Sequence, residues 1–365
     1  MKKAILGTTA LVAVSAMAAG TASASDKIKL GVGGYMQSTY FYQSADEPSG
    51  TSDRTPDRMT QEGEIHFKGE TTLDNGIKFG VNVQLEAYTA TDQIDETYIY
   101  IDGSFGRIVA GSEDSAAYLM HYTSPSPVPM FGADSPNIYP TGQVNTSRPD
   151  MFADKDKITY FTPRFAGFQL GVSYVPDGDN ETGSGNSPYQ APYLENGIDR
   201  GWAAAANYVN KFGGVDVALS AGYESANVTT GTPTVATPGT SGEDYYEYAF
   251  GAQVGVAGFT IGAGYGTDNN IGGVKDNDSK VWSAGLTYGM GPWSVGAQYS
   301  KKTFDPAVGS NTDQTIWVIG GQYTLGPGVT AFGGVEIDDN DLTASTATRM
   351  AGKTNTFFVG TSLSF

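Results

Sequence analysis

The sequence predicts an all-β protein, a transmembrane antiparallel β-barrel of about sixteen strands, and three observations predict it. Apolar and polar residues alternate with period two along most of the chain. Short glycine-bearing turns alternate with longer polar stretches. The alternating runs last about 8 to 17 residues, longer than the usual strand and long enough to cross a bilayer at a tilt.

Residues 1–24 stand apart from this pattern. Lys2 and Lys3 precede an apolar run from Ala4 to Ala19, and Ala22-Ser23-Ala24 forms a small-x-small cleavage site. That is the three-part architecture of a secretory signal peptide. Cleavage would leave residues 25–365 as a single barrel domain of 365 − 24 = 341 residues, with a net charge of −18 − 2 = −20.

The strands follow in order. Ile28, Leu30, Val32, Gly34 and Met36 interleave with Lys27, Lys29, Gly31, Gly33 and Tyr35. Ile65, Phe67, Gly69, Thr71 and Leu73 share one face of the next run, with Glu64, His66, Lys68 and Glu70 on the other. Ile77, Phe79, Val81, Val83 and Leu85 alternate with Lys78, Asn82, Gln84 and Glu86. Later runs, such as Val215 to Tyr223 and Trp293 to Tyr299, repeat the pattern. Turns at Asp74-Asn75-Gly76, Gly103 to Gly106, Phe165 to Gly167, Phe212 to Gly214, Ala257-Gly258, Gly289 to Pro292 and Gly326 to Gly328 each carry the glycine that a tight hairpin needs. Seven such turns, with eight longer stretches between them, make an even-numbered meander. Aromatic residues collect at strand ends, among them Tyr40, Tyr42, Tyr88, Tyr174, Tyr208, Tyr223, Tyr265, Tyr288 and Trp293, where a membrane barrel places its interfacial girdles. Lipid tolerates no open sheet edge, so the meander must close.

The last run, Phe357, Val359, Thr361, Leu363 and Phe365, alternates up to a terminal phenylalanine. After a signal peptide, such a strand looks like the recognition signal of a barrel-insertion machinery, with Phe357, Val359, Leu363 and Phe365 as its apolar face.

Composition removes other classes. The chain has no cysteine, which excludes disulfides and thiolate metal sites. A net charge of −18 opposes binding to nucleic acid. His66 and His121 are its only histidines, and neither Ser115 nor Ser124 near His121 lies in a nucleophile-elbow pattern, so no catalytic residues are assigned and no enzyme is expected.

Three segments carry a family likeness: Phe105-Gly106-Arg107 through Gly111-Ser112, Phe131-Gly132-Ala133-Asp134-Ser135-Pro136-Asn137, and the run from Lys157 to Tyr174. With the terminal phenylalanine, they make the chain resemble the Gram-negative general porins of the sixteen-stranded trimeric class, particularly those of alphaproteobacteria. The resemblance implies an outer-membrane homotrimer with one water-filled pore per subunit, passing small hydrophilic solutes by passive diffusion. It also implies that the third long loop folds into the barrel and forms the constriction.

Here that loop is 114–155, stiffened by Pro125, Pro127, Pro129, Pro136, Pro140 and Pro149. It offers Asp114, Asp134, Asp150 and Asp154 as pore-lining acids, with Glu113 at its root. At comparable height the wall offers Tyr35 and Gln37, then Glu62, Glu64, His66 and Lys68, then Gln84 and Glu86. Basic wall groups (His66 and Lys68) facing acidic loop groups would set up a transverse field. With 39 acidic residues against 21 basic ones, a preference for cations is expected.

No cofactor is required by the sequence. The acidic runs around Asp177 and Asp179, and around Asp338 and Asp339, are candidate loop contacts for structural calcium or magnesium, bridging to lipopolysaccharide phosphates. Two other readings stay open: a solute-specific channel with a sugar, organic-acid or ion site at the constriction, and a structural or adhesive surface barrel.

Overall fold

The computed structural model describes residues 27–45, 55–87, 94–135, 145–178, 197–230, 239–341 and 352–365. The signal peptide, Tyr88 and Asp179 lie outside the described residues.

Among the described residues, seventeen strands form one antiparallel sheet that closes on itself. They are β1 (Lys29–Ala45), β2 (Asp57–Thr72), β3 (Lys78–Glu86), β4 (Thr97–Gly103), β5 (Gly106–Ser112), β6 (Asp156–Phe161), β7 (Phe168–Asp177), β8 (Gly197–Phe212), β9 (Val215–Thr230), β10 (Thr240–Ser241), β11 (Tyr245–Val256), β12 (Phe259–Asn269), β13 (Asp278–Met290), β14 (Trp293–Asp305), β15 (Thr312–Gly326), β16 (Val329–Asn340) and β17 (Gly352–Ser364). β10 is a two-residue pairing on the end of β9; the other sixteen strands make the barrel. Each of the seven expected short turns joins a pair of them, so one end of the barrel is tight and the other carries the long loops.

β1 closes the barrel against β17 in register from Tyr35↔Ser364 to Ala45↔Thr354. Beyond that ladder, Gly34 N–H donates to the Phe365 carbonyl at 3.0 Å and Phe365 N–H donates to the Gly34 carbonyl at 3.1 Å. The terminal residue thus supplies the last pair of the seam.

The two faces are inverted relative to a soluble sheet. Leu30, Val32, Leu170, Trp202, Ile261, Val295, Ile319, Phe357, Val359 and Leu363 are exposed on the outside. Gln37, His66, Asn82, Gln84, Asn207, Gln253 and Gln298 are buried on the inside. A continuous outer apolar surface of this kind needs lipid or a partner against it. Aromatic pairs bound the apolar band at two levels. Near the turns lie Phe168–Tyr208, Phe259–Tyr288 and Trp293–Tyr323; near the loops lie Tyr174–Trp202, Trp282–Tyr299 and Tyr299–Trp317. Along β14, Trp293 and Tyr299 are separated by roughly 20 Å at about 3.3 Å per residue, close to the height of an outer-membrane apolar band.

The wall is uneven in height. β8 and β9 have 16 residues each, whereas β4 and β5 have 7 and β6 has 6. These three strands are shorter than the expected minimum of about 8 residues. The loop between β5 and β6 therefore leaves the wall near mid-height and turns inward, which is how the fold delivers its longest connection to the lumen.

Candidate functional site

The loop 113–155 begins with a four-residue helix, α1 (Ala116–Leu119), capped by Ser115, whose hydroxyl accepts from Ala117 N at 3.1 Å and Tyr118 N at 3.2 Å. The same hydroxyl donates to Glu224 on β9, and Ala116 N–H donates to Ser173 on β7 at 2.9 Å. From this anchor the outgoing leg crosses the inner wall strand by strand. Asn207 on β8 donates to the Met120 carbonyl, Ser220 on β9 accepts from Tyr122 N, and Gln253 on β11 donates to the Thr123 carbonyl, at 3.3, 2.8 and 2.6 Å. Gln298 on β14 then holds both sides of the chain. Its Nε2 donates to the Ser124 carbonyl at 2.8 Å and its Oε1 accepts from Ala133 N at 2.7 Å.

The wall is cleared for this path by glycines on its inner face. Gly262, Gly264 and Gly266 occupy successive inward positions of β12, and a β-carbon there would come within 3.0 Å of Pro125, 2.3 Å of Ser147 Oγ and 2.6 Å of the Ser147 carbonyl. A β-carbon on Gly285 of β13 would lie 2.7 Å from the Pro125 carbonyl, and one on Gly222 of β9 would lie 3.2 Å from the Ala117 β-carbon. Side-chain-free strand positions let loop backbone approach sheet backbone.

The loop tip ends in an apolar cluster: Val128, Phe131 and Ala133 pack with Phe41, Ile316, Val318, Phe332 and Phe358. Phe131 sits 4.0 Å from Phe358 and 5.7 Å from Phe41, centroid to centroid. Those two wall residues are cross-strand partners on β17 and β1.

The return leg is tied to the outgoing one. Asp134 accepts from Ser147 N at 2.9 Å, Ser147 Oγ at 2.6 Å, Ser283 Oγ at 2.5 Å and the Thr123 hydroxyl. Arg148 donates to the Tyr118 hydroxyl at 3.2 Å and lies 5.1 Å over its ring. Farther on, Glu247 accepts from Asp150 N at 2.8 Å, and Glu224 accepts from Met151 N at 3.1 Å. His121 is buried between Ser220 Oγ and Ser147 Oγ, and burial pulls its imidazole down to about 4.

These contacts correct part of the sequence expectation. Asp134, at 4% exposure, does not line an open passage; its carboxylate is consumed by the loop and β13, because four donors converge on it. Asp150 is exposed, Asp154 and Asp114 are half-buried, and Glu113 is buried at the root. Glu96, Asp114 and Asp154 form one carboxylate cluster there. Burial raises the Glu96, Glu113 and Asp114 carboxyls above their ordinary range, and the neighbouring acids add to it. Lys157 donates to the Glu113 carbonyl and to the Ala153 carbonyl beside this cluster.

On the wall, Tyr35, Gln37, Glu62, Glu64, His66, Lys68, Gln84 and Glu86 alternate onto one face of β1–β3. Register places Tyr35 opposite Glu64, Gln37 opposite Glu62, Glu64 opposite Glu86 and His66 opposite Gln84. Glu62, Glu64 and Glu86 form a second carboxylate cluster. His66 does not oppose the loop acids as an isolated cation: its Nε2 lies 2.7 Å from Glu64 Oε2 on its own strand. Three ion pairs lie toward the turn end: Lys78 with Glu70 at 3.0 Å, Arg107 with Asp102 at 3.8 Å and Lys211 with Asp216 at 2.7 Å. Beneath the loop, Tyr122, Val209, Asn210, Lys211, Asp216 and Ala218 line a recess of about 340 Å³.

The candidate loop contacts for divalent ions also move. Asp338 and Asp339 belong to strand β16, and Asp338 is fully buried on the inner face, accepting from Gln314 Nε2 at 2.9 Å. It is not available to bridge to lipid phosphates. Asp177 ends β7.

What sequence reasoning missed is the inner-face set that holds the loop: Ser173, Asn207, Ser220, Glu247, Gln253, Ser283 and Gln298, together with the anchoring role of Glu224. Their signal was present as polar residues at inward positions, but solvated lumen residues carry the same signal.

A family model for Gram-negative porins matches residues 7–343. Among solved structures, the anion-selective porin from Comamonas acidovorans is 16% identical, with a TM-score of 0.62 over 93% of this chain and all of that one. In-vitro folded OmpT of Vibrio cholerae, in its trimer form, is 14% identical, with a TM-score of 0.61 over 93% of this chain and 100% of that one. A variant of the Rh. blastica porin is 16% identical, with a TM-score of 0.53 over 92% and 100%. No curated protein matches the chain.

Proposed function

The chain belongs to the Gram-negative porin family, and from that premise we propose a passive, cation-preferring route for small hydrophilic solutes and ions. The protein is an outer-membrane porin channel. The observation that carries the finer reading is the placement of the long loop. It lies along the inner wall from β7 round to β17, anchored by side chains that point into the lumen, while the inner face of β2 and β3 presents the carboxylates of Glu62, Glu64 and Glu86. A loop lying against one side of a barrel narrows it to a constriction, and a constriction selects by radius and by the charges that line it. Those charges are predominantly acidic, which favours cations and dipolar solutes over anions.

The chain works as a homotrimer. Support comes from the short strands β4–β6, whose outer face carries exposed Ile99 and Ile158 on a wall too low to span a bilayer alone, and from the trimer form of OmpT. Residues 1–24 direct export, the terminal strand is read by a barrel-assembly machinery, and lipopolysaccharide surrounds the loop end.

The test is the reversal potential of the purified mature protein in a planar bilayer across a potassium chloride gradient. The expected result is conductance in steps of three with a cation-directed potential. An anion-directed potential removes the selectivity reading. Saturable block by one solute replaces general diffusion with a specific channel, and folded, heat-modifiable protein that conducts nothing removes the diffusion reading.

A further inference from the structure

We propose that the wall carboxylates of Glu62, Glu64 and Glu86 form a calcium site, with the amide oxygen of Gln37 as an additional ligand. One oxygen from each of the three carboxylates lies within 4.8 Å of the others, close enough for one cation with calcium–oxygen bonds of roughly 2.4 Å to touch all three. A magnesium ion, which demands a strict octahedron and usually keeps several waters, suits an all-protein carboxylate cluster less well.

Glu64 is held from both sides. The Tyr35 hydroxyl donates to Oε1 at 2.5 Å, and His66 Nε2 meets Oε2 at 2.7 Å. With the His66 nitrogen committed to a carboxylate, the donor set around the cluster is oxygen only, which suits a hard cation. Positioning partners of this kind orient metal-binding carboxylates elsewhere.

Gln37 supplies the independent observation. It is 0% exposed, faces inward directly opposite Glu62, and neither its Oε1 nor its Nε2 has a hydrogen-bond partner. A buried amide with both atoms unpaired is costly unless something fills its acceptor. A cation shared with Glu62 would do so, and would also relieve the repulsion among three carboxylates packed on neighbouring strands.

Binding follows from this wall geometry; its effect on conduction rests on the channel reading above. The test is equilibrium dialysis of the folded protein in detergent against radioactive calcium, comparing the wild type with Glu62→Gln/Glu86→Gln. The expected result is one ion fewer per chain in the variant, a difference that subtracts any calcium held by acidic loops. Gln37→Leu keeps all three carboxylates and should weaken the same ion by roughly tenfold. Equal stoichiometry and affinity in wild type and double variant overturn the site. If the double variant loses its heat-modifiable fold, Gln37→Leu decides alone, and unchanged affinity overturns the proposal. In bilayers, calcium should lower the potassium-over-chloride preference of the wild type and leave the double variant unchanged; a preference insensitive to calcium in both overturns any role in conduction. Absence of conductance in calcium-free buffer counts against the channel reading, not against the site.

Discussion

A β-carbon on Gly251 would lie 1.5 Å from the carbonyl oxygen of Tyr122. The strand and the loop are that close, so any side chain at this position must move one or the other. Gly251→Ala should cost about 1–3 kcal/mol by overpacking and displace the loop, lowering the temperature at which the folded band disappears in electrophoresis and raising single-channel conductance. Gly255→Ala, on the same inner face, meets nothing nearer than 3.5 Å and serves as the neutral control.

Asp134→Ala removes the acceptor shared by Ser147, Ser283 and Thr123 and leaves buried donors unsatisfied. A loss of about 3 kcal/mol is expected, concentrated in the loop and not the barrel. Hydrogen exchange should quicken across residues 116–135 while the strands keep their protection, and current recordings should become noisier.

His121 is neutral in the folded loop because burial pulls its imidazole from about 6.5 down to about 4. Its contribution is present above pH 6.5. It is lost as pH falls towards 4, since the undocked loop takes up the proton first; the full loss is up to roughly 3 kcal/mol. Loop protection measured by hydrogen exchange should fall between pH 6.5 and 4, and His121→Asn should flatten that dependence.

Selectivity should follow the wall charges. Glu64→Gln lowers the potassium-to-chloride permeability ratio, and Lys68→Glu raises it, each by a few-fold in reversal-potential measurements at low salt, with the difference shrinking in molar salt. His66→Glu is a poor probe because it sets a second carboxylate against Glu64, 2.7 Å from the present ring nitrogen.

Deleting Phe365 removes the hydrogen-bonded pair with Gly34 and shortens the apolar face of β17. The yield of heat-modifiable protein in outer membranes should drop several-fold. If assembly by detergent refolding in vitro is spared, the residue acts as a recognition signal; an equal loss in both settings assigns it to the seam alone.

The barrel was legible because period-two alternation and turn chemistry are local. Asp74-Asn75-Gly76 and Gly326-Pro327-Gly328 mark hairpins in any context, and Leu30, Val32 and Val359 announce an outer face by their spacing. The path of the long loop was not legible. It depends on which inward residues meet the loop and which meet water, and Gln298 and Gln84 look alike in sequence. Asp134 shows the same limit: an acid in a constriction loop reads as pore-lining until three-dimensional packing turns it towards Ser283.

Phe131 lies against Phe41 and Phe358, one from each side of the seam where the first and last strands meet. The loop tip has no complete socket until the two ends of the chain have been joined, so its docking is expected to follow closure of the seam. Phe131→Trp should therefore report burial only after β1–β17 pairing. Burial preceding that pairing would reverse the sequence of events.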